Sequence, residues 1–251
     1  MQAARDQRSY SPHDLAPVVE SQCLRDLFCK QASEHLCAGK PLFLEGDDAG
    51  HVFEVVAGVL RIFKIISDGR RVITGFLYAG DIIGLAVGER YLYSAEAVGP
   101  ATVRRVSRRK FDAAVAGNNR LQPEFFALVS DEMAAAQDQM VLLSCKNAEE
   151  RICSFLLTFM KRDTLPGERC RSVELPMCRQ DIADYLGLTI ETVSRTFTKL
   201  INKGVVSIEN AAMRHTITIE RPNRLVRLAG DGDDEGDSWH DAGWPGSHGG
   251  H

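Results

Sequence analysis

The chain has 251 residues, of which 44% are apolar and 25% are charged. These proportions are typical of a globular protein and exclude a disordered chain, a collagen and a disulfide-stapled miniprotein. Its 34 Asp plus Glu outnumber its 30 Lys plus Arg, but the last 21 residues hold six of the acidic residues and no Lys or Arg, so residues 1–230 carry a net charge of +2. Such a small excess of positive charge does not by itself indicate nucleic-acid binding.

The N-terminal segment and the cysteines indicate the compartment of the protein. The start of the chain is polar, and no run of about 18 apolar residues follows it, so the sequence predicts neither a signal peptide nor a membrane span. Seven cysteines are an odd number with irregular spacing, which favours reduced thiols over a disulfide framework. We therefore expect a cytoplasmic protein that does not bind a membrane.

The length favours two domains, and residues 41–121 are predicted to form the first as a β-rich unit. Between short runs of Val, Ile, Phe and Leu, glycines recur at positions 46, 58, 69 and 80. This spacing is typical of antiparallel strands in a barrel or sandwich. Asp68-Gly69 supplies the turn of the clearest hairpin, because glycine tolerates the positive φ that a tight turn needs. Residues 1–40 are expected to be helical or irregular.

Residues 122–145 are predicted to form one long helix. Its apolar residues alternate at spacings of three and four and form a narrow stripe: Phe126, Val129, Met133, Ala136, Met140 and Leu143. The stripe either packs against the chain's own β-rich domain or forms a coiled-coil seam with a second subunit. Its Met and Ala residues favour the seam, because they permit close approach of two helices. We therefore predict a homodimer joined along this helix.

A second domain is predicted over residues 146–230. It begins with another amphipathic helix, and it ends with a strand that contains Ile217 and Ile219 and a short helix after Pro222. The remainder, residues 231–251, is rich in Gly and Asp and is predicted to be disordered.

Within this domain, residues 178–206 predict a helix-turn-helix. The first helix begins near Arg179, and Gly187 ends it because glycine tolerates the left-handed conformation. The second helix begins near Thr189, whose hydroxyl suits an N-cap. Ala183 is small where the two backbones cross, and a pair of strands follows as the expected wing.

The second helix has two distinct faces. The face expected to be buried contains Val193, Phe197, Leu200 and Ile201. The opposite face contains Glu191, Ser194, Arg195 and Thr198. Arginine can bind guanine O6 and N7 in the major groove, and glutamate can accept a hydrogen bond from cytosine N4. We therefore predict base contacts by Glu191, Ser194 and Arg195, and a G·C pair in each half-site.

Other residues of the motif are expected to contact DNA less specifically. Ile190, at the exposed start of the second helix, either touches a thymine methyl group or belongs to the core, and we include it among the base contacts. Phosphate contacts, which position the protein rather than specify the sequence, are predicted for Arg179, Gln180, Thr189, Thr192 and Thr198. The alternative is that these polar residues are only the solvated face of an ordinary helix pair.

These residues resemble the Crp/Fnr transcription regulators. The stretch CRQDIADYLGLTIETVSR, from Cys178 to Arg195, resembles the helix-turn-helix of that family, and Glu191-x-x-Ser194-Arg195 looks like its Fnr-type reading set. The resemblance extends to AEERICSFLL at 148–157, to ITIERPNRLVRLAG near the end of the second domain, and to the N-terminal β-roll. Within the family, the chain looks most like the FixK branch.

The resemblance implies an α+β fold with an N-terminal β-roll of the cyclic-nucleotide-binding type, a long dimerisation helix and a C-terminal winged helix-turn-helix domain. It also implies a homodimer that binds palindromic double-stranded DNA with TTGAT-like half-sites and contacts RNA polymerase to activate transcription. The FixK branch regulates microaerobic, nitrogen-fixation and denitrification genes. An enzyme is not expected, because we find no phosphate loop, zinc-ligand cluster or nucleophile motif.

The chain departs from the members of the family that sense ligands. Where cyclic-AMP receptors have Gly-Glu-Leu and Arg-Ser-Ala, this sequence has Ile83-Gly84-Leu85 and Tyr93-Ser94-Ala95. It therefore lacks the carboxylate that holds the ribose and the guanidinium that holds the phosphate. We expect no cyclic nucleotide.

The cysteines also differ from those of the oxygen-sensing Fnr relatives. Cys23, Cys29 and Cys37 are too widely spaced for the tight N-terminal cluster, and no cysteine lies between residues 38 and 144. Because an iron–sulfur cluster normally requires four thiolates, we expect neither a cluster nor any other cofactor or metal. The three cysteines are instead expected to be small buried hydrophobes.

Cys178 is a candidate redox switch. It precedes Arg179 at the positive end of the first helix of the motif, and both features favour a reactive thiolate. Oxidation there would place negative charge beside the DNA phosphates and weaken binding, whereas the alternative is an inert cysteine at a cap position. Two functions remain open: an activator controlled by its abundance and by Cys178, and a regulator gated by an unidentified effector in the β-roll.

Overall fold

The computed structural model describes residues 23–85, 88–163, 172–208 and 216–230. An N-terminal domain, one long helix and a C-terminal domain follow one another along the chain. The predicted disordered tail lies outside the described residues. The architecture confirms the predicted fold class.

The described residues of the N-terminal domain form two short helices and eight strands: α1 (Asp26–Cys29), β1 (Ser33–Leu36), β2 (Pro41–Phe43), β3 (His51–Ala57), β4 (Leu60–Ile65), β5 (Arg71–Leu77), β6 (Ile82–Ile83), β7 (Ser94–Ala97), β8 (Ala101–Ser107) and α2 (Arg108–Gly117). The strands form two four-stranded antiparallel sheets, ordered β1-β8-β3-β6 and β2-β7-β4-β5. Apolar side chains from both sheets meet in one core, where Val55 and Val103 of the first sheet and Leu60 and Ala95 of the second are fully buried.

The β-rich domain begins earlier than predicted. Strand β1 pairs with β8 from Ser33 to Leu36, so the boundary at residue 41 is wrong. The sequence of β1 gives little signal because only Leu36 is buried, and the other three side chains are exposed or half-buried. An edge strand of this kind lacks the alternating apolar pattern that identifies longer strands.

The four regularly spaced glycines lie at turns and have a positive φ. Gly69 has φ of 83° in the hairpin between β4 and β5, as predicted, and Gly46 and Gly80 have φ of 88° and 94°. Gly58 differs from these three because backbone atoms of Pro100 and Ala101 pack closely against it. A Cβ atom at Gly58 would lie 2.4 Å from the Pro100 carbonyl oxygen, whereas one at Gly69 would meet no atom within 4 Å.

Helix α3 (Leu121–Cys145) is the predicted long helix and begins one residue earlier than expected. Its first turns pack on the N-terminal domain through Leu121, which is buried, and through Phe125 and Leu128, which are partly buried. Beyond these turns, most of the apolar stripe is not packed against the rest of the described chain. Phe126, Met133 and Met140 are 66%, 60% and 68% exposed.

In the C-terminal domain, residues 148–163, 172–208 and 216–230 form four helices and three short strands: α4 (Ala148–Asp163), β9 (Ser172–Glu174), α5 (Arg179–Leu186), α6 (Ile190–Asn202), β10 (Val206–Ser207), β11 (Thr216–Ile219) and α7 (Pro222–Leu228). The strands form one sheet in the order β10-β11-β9. The predicted strand pair of the wing is thus three-stranded, because β9 joins it from before the helix-turn-helix.

Three further expectations can be compared with the described residues. None of their helices is long and apolar enough to cross a membrane. No group of three or more His, Cys, Asp or Glu among them is arranged to hold a metal ion. Cys29 and Cys37 are exposed and Cys23 is half-buried, so the expectation that these cysteines are buried is wrong. The short helix α1 and the edge strand β1 leave these positions at the surface.

We expect Gly58→Ala to lower the free energy of unfolding by about 2 to 5 kcal/mol. The new side chain adds left-handed backbone strain to a clash with the Pro100 carbonyl and with Ala101. Gly69→Ala, which adds only the strain, should cost about 1 to 2 kcal/mol. Urea denaturation of both variants measures the difference, and equal costs would contradict the close packing at Gly58.

Candidate DNA-binding interface

Helices α5 and α6 form a helix-turn-helix around one glycine turn. Gly187 ends α5 in the left-handed conformation, with φ of 62°, and its amide donates to the Ala183 carbonyl. The next amide, of Leu188, donates to the same carbonyl at 3.0 Å. Ala183 and Val193 are both fully buried in the core of this domain. The two helices therefore form the tight pair that the sequence predicts.

The N-terminus of α6 is capped as expected. The Thr189 hydroxyl accepts a hydrogen bond from the Thr192 amide at 3.3 Å, and the two hydroxyl oxygens are 3.1 Å apart. This cap satisfies one of the backbone donors that a helix start leaves free.

Helix α6 separates a buried face from an exposed polar face. Val193, Phe197 and Leu200 are at most 3% exposed. The exposed side chains of the opposite face are Glu191, Ser194, Arg195 and Thr198.

The prediction that Ile201 is buried is wrong, because this side chain is 38% exposed. At 3.6 residues per turn, Ile201 lies at the edge of the face that Val193 and Leu200 share, rather than at its centre. Ile190 is also 38% exposed. It is therefore not a core residue of this domain.

Glu191 is prepared to act as a hydrogen-bond acceptor. Its own backbone amide, the Thr189 hydroxyl and the nearby charge of Arg195 all lower the pKa of its carboxyl group. The ionised carboxylate lies at the positive end of α6, where a negative charge is favoured. Arg195 extends along the same face, and its Nε donates to the Glu191 carbonyl at 3.4 Å. A carboxylate acceptor and a guanidinium donor are thus neighbours on one exposed surface.

The residues predicted to bind phosphates lie along both helices of the motif. Arg179 places its guanidinium 3.5 Å above the ring of Phe197, which joins the start of α5 to the buried face of α6. Gln180 donates from Nε2 to Asp184 at 2.6 Å, so its amide group already has a partner within α5. Thr198 is exposed, and its hydroxyl donates to the Ser194 carbonyl at 3.0 Å.

Cys178 is the exposed N-cap residue of α5, but its surroundings differ from the prediction. Its thiol donates to the carboxylate of Asp181 at 3.3 Å, and its backbone amide donates to the same oxygen at 3.4 Å. The sequence predicted that the thiol lies near the positive end of α5 and near Arg179, but predicted no carboxylate beside it. The sequence analysis overlooked Asp181, although an acidic residue three positions after a cap is a recognisable pattern.

Asp181 also binds residues that local patterns cannot reveal. Its carboxylate accepts hydrogen bonds from Arg61 of β4 at 3.1 Å and from Arg71 of β5 at 2.7 Å. These partners precede it by 120 and 110 residues. The first helix of the motif therefore contacts the β4–β5 hairpin of the N-terminal domain.

The residues at the two nucleotide-contact positions of the β-roll differ from those of the cyclic-AMP receptors. Gly84, which stands at the place of the ribose-binding carboxylate, has no side chain to supply a polar group, and the preceding Ile83 is 1% exposed. The Ser94 hydroxyl already accepts a hydrogen bond from the Glu45 amide at 2.9 Å. Nearby, the rings of Phe43 and Tyr91 stack with centroids 3.8 Å apart in the core of the domain. These side chains provide packing and no charge for a phosphate.

Comparison with known proteins identifies both domains. Residues 150–228 match a Crp-like helix-turn-helix domain, and residues 33–118 match a cyclic nucleotide-binding domain. The nitrogen fixation regulation protein FixK of Bradyrhizobium diazoefficiens is 39% identical over 195 residues, which are 78% of this chain and 81% of that protein. FixK of Azorhizobium caulinodans is 45% identical over 169 residues, which are 66% and 68% of the two chains.

A solved structure has the same architecture. The structure of FixK2 from Bradyrhizobium japonicum superposes with a TM-score of 0.73 at 34% identity, and the match covers 79% of this chain and 96% of that one. The two FixK relatives are named as nitrogen fixation regulation proteins, which agrees with the expectation that the chain is not an enzyme.

Proposed function

The chain belongs to the Crp/Fnr family of DNA-binding transcription regulators, and from this we propose that it activates transcription as a homodimer on a palindrome of TTGAT-type half-sites. The observation that carries the proposal is the exposed edge of α6, where Glu191, Ser194 and Arg195 lie opposite a fully buried face. A helix of this kind fits the major groove and can read a G·C pair. The activator would contact RNA polymerase from the bound site, in the cytoplasm.

The stripe of α3 supports the dimer. Phe126, Met133, Ala136 and Met140 are exposed within one chain, and Val129 and Leu143 are only half-buried. A second copy of α3 would remove this apolar surface from water, and its regular three-and-four spacing matches a coiled-coil seam. Two copies of α6 would then face two half-sites related by the same twofold symmetry.

The names of the relatives indicate which class of genes the protein would regulate. The FixK proteins of Bradyrhizobium diazoefficiens and Azorhizobium caulinodans are named as nitrogen fixation regulation proteins. By this similarity we propose that the targets include genes of nitrogen fixation.

The second candidate function is a regulator gated by an effector in the β-roll. The match to a cyclic nucleotide-binding domain favours it, but the residues at the ribose and phosphate positions do not fit a cyclic nucleotide. An effector would therefore be uncharged or of another class. A thermal-shift screen that finds a ligand required for DNA binding would support this function over constitutive activity.

We expect Arg195→Ala to lose selectivity for guanine in each half-site by about 1 to 3 kcal/mol, because a bidentate contact to O6 and N7 disappears. Selection of bound sites from random DNA, done with the wild type and the variant under reducing conditions, measures this preference. Thr198→Ala is the matched control on the same helix, and it should weaken binding evenly across sequences. If Arg195→Ala selects the wild-type sites, the assignment of the reading face is wrong.

We expect Met133→Glu to convert the dimer into a monomer at micromolar concentration, since a charge in an apolar seam weakens association by about a hundredfold or more. Ala135→Glu adds the same charge at an exposed position outside the stripe and should leave the dimer intact. Analytical ultracentrifugation measures both variants. A dimer that tolerates Glu at residue 133 would exclude α3 as the interface.

We further propose that oxidation of Cys178 weakens DNA binding. The exposed thiol lies at the N-cap of α5, beside residues assigned to phosphate contacts. Attack of its sulfur on hydrogen peroxide breaks the O–O bond, gives a sulfenic acid and releases water, and further oxidation gives a sulfinate. A sulfinate would repel both the DNA phosphates and the Asp181 carboxylate, which is 3.3 Å from the sulfur.

Peroxide treatment should lower the affinity of the wild type for DNA by about tenfold or more, and that of Cys178→Ala much less. Cys29→Ala is the matched control, because Cys29 is an exposed thiol of the N-terminal domain, and this variant should stay sensitive. Gel retardation before and after peroxide gives the comparison. Equal losses in the wild type and in Cys178→Ala would remove Cys178 from the mechanism.

A further inference from the structure

A network of charged side chains joins the β4–β5 hairpin to helix α5. Arg71 donates from Nη2 to Asp181 at 2.7 Å and from Nε to Asp184 at 2.9 Å. Arg61 donates from Nη1 to both oxygens of Asp181 at 3.1 Å, and its other terminal nitrogen binds Glu96 of β7. We call these five residues the hairpin clamp.

The clamp is largely removed from water. The side chain of Asp181 is 2% exposed, that of Arg61 12% and that of Asp184 13%. Burial alone would lower the pKa of Arg71, but its hydrogen bond to Asp184 and the charge of Asp181 outweigh burial and raise the pKa. The Arg71 guanidinium therefore stays charged, and it pairs with both carboxylates of α5.

Buried ion pairs of this kind contribute more to geometry than to net stability. Desolvation of the charges offsets much of their attraction, so apolar side chains of similar size often stabilise a fold equally well. The loss of one partner is nevertheless costly, because it leaves the other charge buried and alone. If α5 shifted along the hairpin, the arginines and carboxylates of the clamp would lose their partners. The clamp therefore favours one relative position of the two domains.

The C-terminal end of α5 also forms hydrogen bonds with other helices. Gln139 of α3 donates from Nε2 to the Tyr185 carbonyl at 2.7 Å. Arg151 of α4 donates to the Leu186 carbonyl at 2.9 Å and to the Leu143 carbonyl, near the end of α3, at 2.8 Å. These bonds connect the C-terminus of α5 to the helix that we assign to the dimer interface. Helix α5 is thus bound at its start to the hairpin and at its end to α3.

An aromatic cluster next to the clamp belongs to the same contact between domains. Phe76 of β5 lies 5.4 Å from the ring of Tyr185 in α5 and 6.5 Å from the ring of Phe159 in α4. The ring of Tyr78, the residue after β5, lies 5.9 Å from the ring of Phe159. Because aromatic contacts tolerate small shifts more easily than paired charges do, they hold the domains together while the clamp selects their orientation.

We propose that the hairpin clamp fixes the distance between the two recognition helices of the dimer and so determines which spacing of half-sites the protein accepts. The proposal rests on the proposed function, because it requires a dimer along α3 and a palindromic site. Helix α6 follows α5 rigidly through the turn at Gly187 and the buried Ala183, so an orientation imposed on α5 is passed to α6. Arg61, Arg71, Asp181 and Asp184 are thus positioning residues, and none of them needs to touch DNA.

The test uses the full-length protein and a series of palindromes in gel retardation under reducing conditions. The half-sites are those that the wild type selects, and only the distance between them changes, by one or two base pairs in each direction. Each base pair moves one half-site by about 3.4 Å and turns it by about one tenth of a helical turn. We expect the wild type to bind the altered sites at least about tenfold more weakly, and Arg71→Gln to bind all sites within about threefold of one another.

Two further variants separate positioning from other effects of the substitution. Arg70→Gln removes the same charge from the same hairpin. Within the described part of the chain Arg70 forms its ion pair with Asp68 in the turn and none with α5, so we expect wild-type spacing selectivity. Asp184→Asn removes one clamp partner from the α5 side and should relax the selectivity as Arg71→Gln does. The double variant Arg71→Gln/Asp184→Asn should be no more relaxed than Arg71→Gln, because both act through one contact.

The outcomes distinguish this proposal from the proposed function. A wild-type protein that retards no palindrome contradicts the proposed function. A wild type with clear spacing selectivity, together with unchanged selectivity in Arg71→Gln and Asp184→Asn, overturns the clamp proposal alone. Thermal unfolding followed by circular dichroism accompanies each assay, and if Arg71→Gln is unfolded at the assay temperature, Asp184→Asn decides the result.

Discussion

The hydrogen bonds to the buried carboxylate of Asp181 are the interactions on which the relative position of the two domains depends. One carboxylate oxygen accepts hydrogen bonds from the backbone amide and from the thiol of Cys178, the N-cap residue of α5. The carboxylate also accepts hydrogen bonds from Arg61 and Arg71 of the β hairpin. A single side chain thus takes part in the start of a helix, in the contact between two domains and in the surroundings of the exposed cysteine. Because this side chain is only 2% exposed and one carboxylate serves all of these partners, none of the three roles is independent of the others.

This arrangement gives the N-terminal domain a mechanical role. Its core is filled by apolar and aromatic side chains, including the stacked rings of Phe43 and Tyr91, and the positions that serve a phosphate in cyclic-AMP receptors carry Tyr93-Ser94-Ala95. The outer surface of the same domain, at β4 and β5, instead supports the helix-turn-helix. A β-roll of the cyclic-nucleotide-binding type can therefore act as a rigid support for a DNA-binding domain, with contacts on its outside.

The sequence predicted well those features that depend on neighbouring residues. The two faces of α6, the glycine turn at Gly187 and the hairpin at Gly69 all follow from short periodic patterns, and the structure confirms them. Strands β1 and β9 were missed, because each buries a single side chain and has no period to detect. The partners of Asp181 could not be predicted from the sequence, for another reason. They lie 110 and 120 residues away, and no local pattern indicates which arginines will meet a given carboxylate.

The long separation of Arg71 and Asp181 in the chain also has a consequence for folding. Contacts between residues so far apart form late, because the entropy of closing the intervening loop is lost before the contact is gained. The β-roll and the helix-turn-helix each have a core of their own and can reach their native packing before they meet. We therefore expect docking of α5 on the hairpin to be the final step of folding, so that a newly made chain acquires its helix-turn-helix before the geometry of the proposed dimer is set.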